Sequence, residues 1–205
     1  MTVAAEYAIE RGRKLTRFLG DGNDGAVWES NSHTAVKAVE RHDSYLRERD
    51  AYFRLCDNGI YEIHGFAVPY LVDHDDTRQV VEMTVVFPPC IIDFAKAYVD
   101  RPPDFTPEIL RDWREDESKL FDDDWDKVEE LLASLREIGI FYFDAKPGNI
   151  RFQNWYSPHL LNETSISSVR ILKLNLYDQN RLSMVGVWSS VQSVTSAVRV
   201  AGLAK

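Results

Sequence analysis

Within six residues, Asp144-Ala-Lys146-Pro-Gly-Asn149 brings together a carboxylate, an ammonium and a carboxamide. These are groups with which a protein holds a hydroxyl, a phosphate and a divalent cation in one place. Two stretches far upstream carry chemistry of the same kind. Gly20-Asp-Gly22-Asn-Asp-Gly25-Ala-Val27 has the glycine spacing of a loop whose backbone approaches phosphates closely. Ala35-Val36-Lys37-Ala38-Val39 sets a lysine inside an apolar strand, where an ammonium needs an anion. Glu48 falls in the middle of a helix face made by Tyr45, Tyr52 and Leu55, so it needs a cation in turn. An ordinary glycine turn and an edge-strand lysine reaching for water are the rival readings of these two stretches.

The elements that must position these groups follow from periodicity. Lys14 to Leu19, Ala26 to Ser30 and Thr34 to Val39 read as a three-stranded meander joined through the glycines and Asn31-Ser32. Asp43 or Ser44 is the expected cap of the helix that carries Glu48. Val68 to Val72 and Val80 to Val86 read as a hairpin across a turn from Asp73 to Arg78, and Phe87-Pro88-Pro89 then breaks the strand as a hinge. Residues 106–126 read as an acidic helix. Val128, Leu131, Leu132, Leu135 and Ile138 mark one face of a second helix, ended by Gly139, that leads into the Asp144 loop. A dinucleotide site would need a helix directly after the glycines; the apolar, β-prone residues there favour strand, so the loop reads as a hairpin lid.

Charge narrows the function classes. The formal net charge is -9, which argues against a nucleic-acid partner, because such binding rests on clustered Lys and Arg. Residues 1–152 hold 31 acids and 19 bases, whereas 153–205 hold two acids and five bases, so the tail is a different kind of sequence. No leader-like start and no run of eighteen apolar residues occurs, so the expectation is a cytoplasmic chain without membrane insertion. Cys56 and Cys90 read as buried free thiols. Asp122-Asp123-Asp124 with Asp126 reads as a solvated helix start, and the five histidines show no ligand spacing.

Taken in order, the glycine loop, strand lysine, helix glutamate, hinge and Asp144 loop resemble the protein-kinase-like superfamily over residues 14–152. The resemblance implies ATP and Mg²⁺ as ligands. It assigns Gly20, Gly22, Gly25, Val27, Ala35, Lys37 and Glu48 to nucleotide binding, Ala35 leaving room for adenine. Asp144 would orient or deprotonate the acceptor hydroxyl, Lys146 would neutralise the transferring phosphoryl group, and Asn149 would hold the metal. Tyr142 and Phe143 stand where the family carries His and Arg, which leaves a phosphorylated activation loop nothing to grip. No D-F-G and no A-P-E follow the Asp144 loop. Asp178, at the end of the strand-like run Ile171 to Tyr177, is the best replacement for the missing metal ligand.

This shortened layout is similar to the short YrbL-type bacterial kinase-like proteins of PhoP regulatory networks. It implies an α+β, reduced two-lobe protein-kinase-like fold. Residues 1–87 would form an N-lobe of antiparallel sheet plus one helix. Residues 88–205 would form a truncated, mostly helical C-lobe, with the catalytic loop at 142–149 and an atypical tail at 153–205. The activity implied is transfer of the γ-phosphate of ATP to a hydroxyl acceptor, protein Ser or Thr by family default. The alternative is a pseudokinase, a nucleotide-binding or scaffolding module without catalysis. Met184, Trp188, Val191, Thr195, Val198 and Gly202 are spaced as one helix face in the tail.

Overall fold

In the computed structural model, which describes residues 1–153, the chain opens with helix α1 (Val3–Glu10). It then passes through strands β1 (Leu15–Gly22), β2 (Gly25–Ser30) and β3 (Thr34–Val39) into helix α2 (His42–Asp57). The short strands β4 (Glu62–Ile63) and β5 (Phe66–Ala67) precede the hairpin β6 (Leu71–Asp75) and β7 (Val80–Thr84). Beyond Phe87 come β8 (Cys90–Ile91), β9 (Ala97–Val99), helices α3 (Pro107–Phe121) and α4 (Trp125–Glu137), and strands β10 (Ile140–Tyr142) and β11 (Ile150–Arg151). The last two flank the Asp144 loop.

The first sheet has five strands in the order β1-β2-β3-β7-β6, every neighbouring pair antiparallel. β3 lies at its centre and is covered on both sides, which is why it carries apolar residues at nearly every position. Its inner face meets α2, on which Tyr45, Glu48, Ala51, Tyr52 and Leu55 are buried. Its outer face meets α1, an element that the periodicity reading missed because it is short. Ala4 and Tyr7 of α1 pack on Val36 and Val80. The Tyr7 hydroxyl donates to Glu82 Oε2 at 2.8 Å, and Thr34 and Arg13 also reach the Glu82 carboxylate, so this fully buried acid is satisfied.

Three boundaries differ from expectation. Neither Asp43 nor Ser44 caps α2, which starts at His42 behind Arg41; Asp43 is engaged by Arg47 and Arg41, and Ser44 Oγ donates to Asp24. The β6–β7 turn comes later than Asp73, because Arg11 draws Asp73 and Asp75 onto the strand as ion-pair partners and Arg78 adds a second cation to Asp75. The sheet carries two helices, α1 and α2, rather than one.

After the hinge, Thr106 caps α3 with Pro107 in its first turn, and the helix buries only Phe121. A 3₁₀ turn at Asp122–Asp124 leads into α4, which buries Val128, Leu131, Leu132 and Leu135. Gly139 follows at φ 78°, the left-handed conformation in which a helix commonly stops. One hydrophobic core runs from Ala35 and Met83 in the sheet through Tyr52 and Phe94 to Leu131, Leu135 and Ile150. The fold is α+β, an antiparallel N-terminal sheet followed by a reduced part with two helices among the described residues. The tail reading, including the strand before Asp178 and the helix face from Met184 to Gly202, lies outside the described residues. Among the described residues no helix is long and apolar enough to cross a membrane. Cys56 is half-buried and Cys90 buried, both as free thiols.

Candidate functional site

A cleft of about 490 Å³ opens beneath the β1–β2 hairpin and reaches to the Asp144 loop. Gly22 and Gly25 face each other across the hairpin. Gly25 admits no other residue, since a Cβ there would come within 2.0 Å of the Ala38 carbonyl oxygen. Nothing lies within 4 Å of a Cβ built at Gly20 or Gly22, so the hairpin leaves open space at those positions. Both flanking elements are strands and the next helix starts only at His42, which removes the dinucleotide-loop reading. Val27, Ala35 and Met83 line the cleft as an apolar slot, with Ala35 and Met83 directly paired across β3 and β7.

Lys37 projects from β3 into the same cleft and is almost entirely buried. Its Nζ lies 2.8 Å from Glu48 Oε2 and 2.9 Å from Asp93 Oδ1. Burial works against the ammonium, yet the charges of Glu48 and then Asp93 outweigh it and hold Lys37 above the usual lysine range. Burial pushes the Glu48 carboxyl up to about 7, Lys37 pulls it down, and Asp93 adds repulsion. Two carboxylates thus share one ammonium.

At the Asp144 loop two ammoniums meet one carboxylate directly, with Glu117 as a further acid within electrostatic reach of both lysines. Lys96 Nζ donates to Asp144 Oδ1 at 2.8 Å and Lys146 Nζ to Asp144 Oδ2 at 2.8 Å. Asn149 Nδ2 donates to the Asp144 carbonyl at 3.1 Å and to Oδ2 at 2.7 Å, so its carboxamide oxygen is the atom left for a ligand. Partial burial acts to raise the Asp144 carboxyl, but the bonds from Lys146 and Lys96 prevail and hold it below the usual carboxylate range. Lys37, Glu48, Lys146, Asn149 and the three glycines all border the one cleft. Asp178 lies outside the described residues.

Asp93 and Lys96 escaped the sequence reading. They reach the site because β8 pairs antiparallel with β11, Ile91 opposite Ile150, and Ile92 N–H donates to the Asn149 carbonyl at 2.8 Å. This pairing sets Asp93, the residue after Ile92, beside the loop that Asn149 closes. Asp93 has φ 65°, a conformation that Asp tolerates better than most residues. Phe94 then inserts between Tyr52 of α2 and Tyr142, with ring centroids 5.3 and 5.4 Å away. Tyr142 also donates to the Ile92 carbonyl, so it buttresses the Asp93 turn. Phe143 packs in an aromatic group with Tyr98, Phe105 and Trp113. A signal for Asp93 existed: Ile91-Ile92-Asp93-Phe94 is an apolar strand end delivering an acid, the same signal that singled out Asp178, but upstream of the loop it serves.

Fold and site together define an α+β scaffold around one cleft with two charge clusters. No protein-family model matches the chain, and no curated protein matches it. Among solved structures, the chain is similar to the gentamicin complex of the aminoglycoside phosphotransferase APH(2'')-IIa at 18% identity and a TM-score of 0.35. The match covers 86% of this chain and 50% of that one, so the chain spans about half the length of that structure.

Proposed function

We propose that this chain is a kinase-like phosphotransferase that binds ATP with Mg²⁺ in the cleft and passes the γ-phosphate to a hydroxyl group. The observation that carries the reading is the pair of charged groupings along one cleft: two carboxylates in contact with Lys37, two ammoniums in contact with Asp144. The first complements a divalent cation and the second a phosphate. Phosphoryl transfer asks a protein mainly for positioning and charge stabilisation, and these groups supply both.

On this reading the Gly20, Gly22 and Gly25 hairpin covers the phosphates, while Val27, Ala35 and Met83 pack against one face of the base. Lys37, held by Glu48, takes the inner phosphates. The donor set fits Mg²⁺, which favours oxygen ligands from one or two side chains plus substrate phosphates. Both Asp93 bonds, to Lys37 and to the Ala95 N–H, fall on Oδ1, leaving Oδ2 for a metal alongside the Asn149 oxygen. Asp93 thus offers the cleft a metal-ligating carboxylate beside Asn149, the role that the sequence reading gave to Asp178. Mg²⁺, when bound, neutralises charge that gathers on the phosphate oxygens. Asp144 orients the acceptor hydroxyl and Lys146 stabilises the transferring group. Residues 1–87 act as the nucleotide-covering lobe and the chain from Pro88 onward as the acceptor lobe, a short YrbL-type layout. Protein Ser or Thr is the acceptor that the resemblance favours, with a small hydroxyl compound as the other source.

Titration of the chain with MgATP, followed by thermal denaturation, tests the binding step. Nucleotide at 100 times its dissociation constant stabilises by about 2.7 kcal/mol. γ-Labelled ATP tests the chemistry, and Asp144→Ala is expected to abolish label transfer. An unchanged melting temperature in MgATP refutes the reading, and a shift without turnover in the native chain identifies the pseudokinase alternative.

A further inference from the structure

Among the described residues, Lys96 is the one cation at the Asp144 carboxylate that the kinase-like motif order does not supply. Its place is set by backbone register, because Ala97 of β9 pairs with Tyr142 of β10 and so stations Lys96 beside the start of the Asp144 loop. The turn before it is clamped from three sides. Asp93 holds Lys37, the Ala95 carbonyl accepts from Arg47 Nε of α2 at 3.1 Å, and the Ala97 N–H donates to the Phe94 carbonyl at 2.9 Å. A fixed base therefore carries a solvent-exposed head, since 47% of the Lys96 side chain is exposed and it borders the cleft.

Both Asp144 oxygens accept an ammonium, one from Lys96 and the other from Lys146. Oδ2 is filled by Lys146 and Asn149, so an acceptor hydroxyl must use Oδ1, where it shares the oxygen with Lys96 and meets a weakened base. Glu117 stands within electrostatic reach of the same two lysines, so Lys96 and Lys146 are not tied to Asp144 alone, and an anion arriving in the cleft competes with these carboxylates for them. Moving an exposed ammonium from a carboxylate to a nearby phosphate costs little desolvation, and the long lysine stem allows it.

We propose that Lys96 is a second cation for the terminal phosphate, parked on Asp144 while the cleft is empty and exchanged onto the phosphate when nucleotide binds, freeing Asp144 Oδ1 for the acceptor. This deepens the phosphotransferase reading and rests on it. Readiness of the acceptor side is then linked to occupancy of the nucleotide side, and an acceptor hydroxyl meets a competent Asp144 only when the donor phosphate is in place.

Calorimetric titration with MgATP and MgADP, on the native chain and on Lys96→Met and Lys96→Arg, tests this directly. A lost charge-assisted bond to the terminal phosphate weakens MgATP about tenfold in Lys96→Met. MgADP affinity stays within about twofold, because that ligand lacks the group Lys96 meets. Lys96→Arg restores most of the MgATP affinity. A merely structural Lys96 changes both affinities or neither, and either result overturns the proposal. A native chain that binds both nucleotides with Lys96→Met unchanged toward each removes the Lys96 role alone. A native chain that binds neither removes the phosphotransferase reading and this inference together.

Discussion

Lys37 sits buried between Glu48 and Asp93, whereas Lys96 and Lys146 hold Asp144 from the solvent side, each with 47% of its side chain exposed. The residue types are the same and the consequences differ. Inside the sheet Lys37 and Glu48 have no water to fall back on, so removing one strands the other in a low-dielectric site. At the loop each ammonium has water as an alternative partner, so its bond to Asp144 adds little stability and can be exchanged. Burial therefore separates a fixed part of the cleft from a movable one.

The sharpest way to break this contrast is at Asp144. Asp144→Asn keeps the volume and removes the charge that orients an acceptor. Label transfer from ATP is expected to fall by about 10²–10⁴-fold. The unfolding free energy in urea is expected to fall by about 1–3 kcal/mol, because the lysines left behind are solvated but the buried Asn149 loses the carboxylate oxygen that accepts from its Nδ2. A loss greater than that of Lys37→Met would place Asp144 with the buried cluster instead.

Lys37→Met is the complementary change. It strands Glu48 in the core and is expected to cost about 3–5 kcal/mol of unfolding free energy. The loss should be larger at pH 8 than at pH 5.5, because the raised Glu48 carboxyl takes up a proton at the lower pH and sheds its charge. Equal losses at the two pH values would show that Glu48 is not the group left unpaired.

The smallest effect concerns the native chain by itself. Glu48 has a raised carboxyl, so its contribution to stability is fully present below its ordinary value of 4.5 and is lost as pH rises through about 7. Asp144 is shifted the other way, so its contribution is present above its ordinary value of 3.8 and is lost only as pH falls below it. Urea denaturation between pH 5 and 8 is therefore expected to show a decline that Glu48→Gln flattens and Asp144→Asn leaves in place. A decline untouched by Glu48→Gln would move its origin elsewhere.

Local pattern made much of the site legible. Lys37 stood out because an ammonium in a run of Ala and Val is improbable without an anion, and Glu48 because its helix face is otherwise apolar. The Asp144 loop was readable because its spacing is compressed into six residues. Less local features were not readable. Helix α1 has only eight residues, and its docking on Val36 and Val80 needs partners dozens of positions away. The acids of β6 read as turn residues until Arg11 and Arg78 are known to meet them.

Asp93 marks the division most clearly. Its own residue type and the apolar pair before it were visible, but its meeting with Lys37 spans 56 positions along the chain. Residue types and short spacings determined which groups here could carry charge into a cleft, because strand and helix periodicity alone decide which face a side chain takes. Which charges face one another was decided only when β8 paired with β11 and β9 with β10, since those registers bring the Asp93–Lys96 turn against both Lys37 and Asp144.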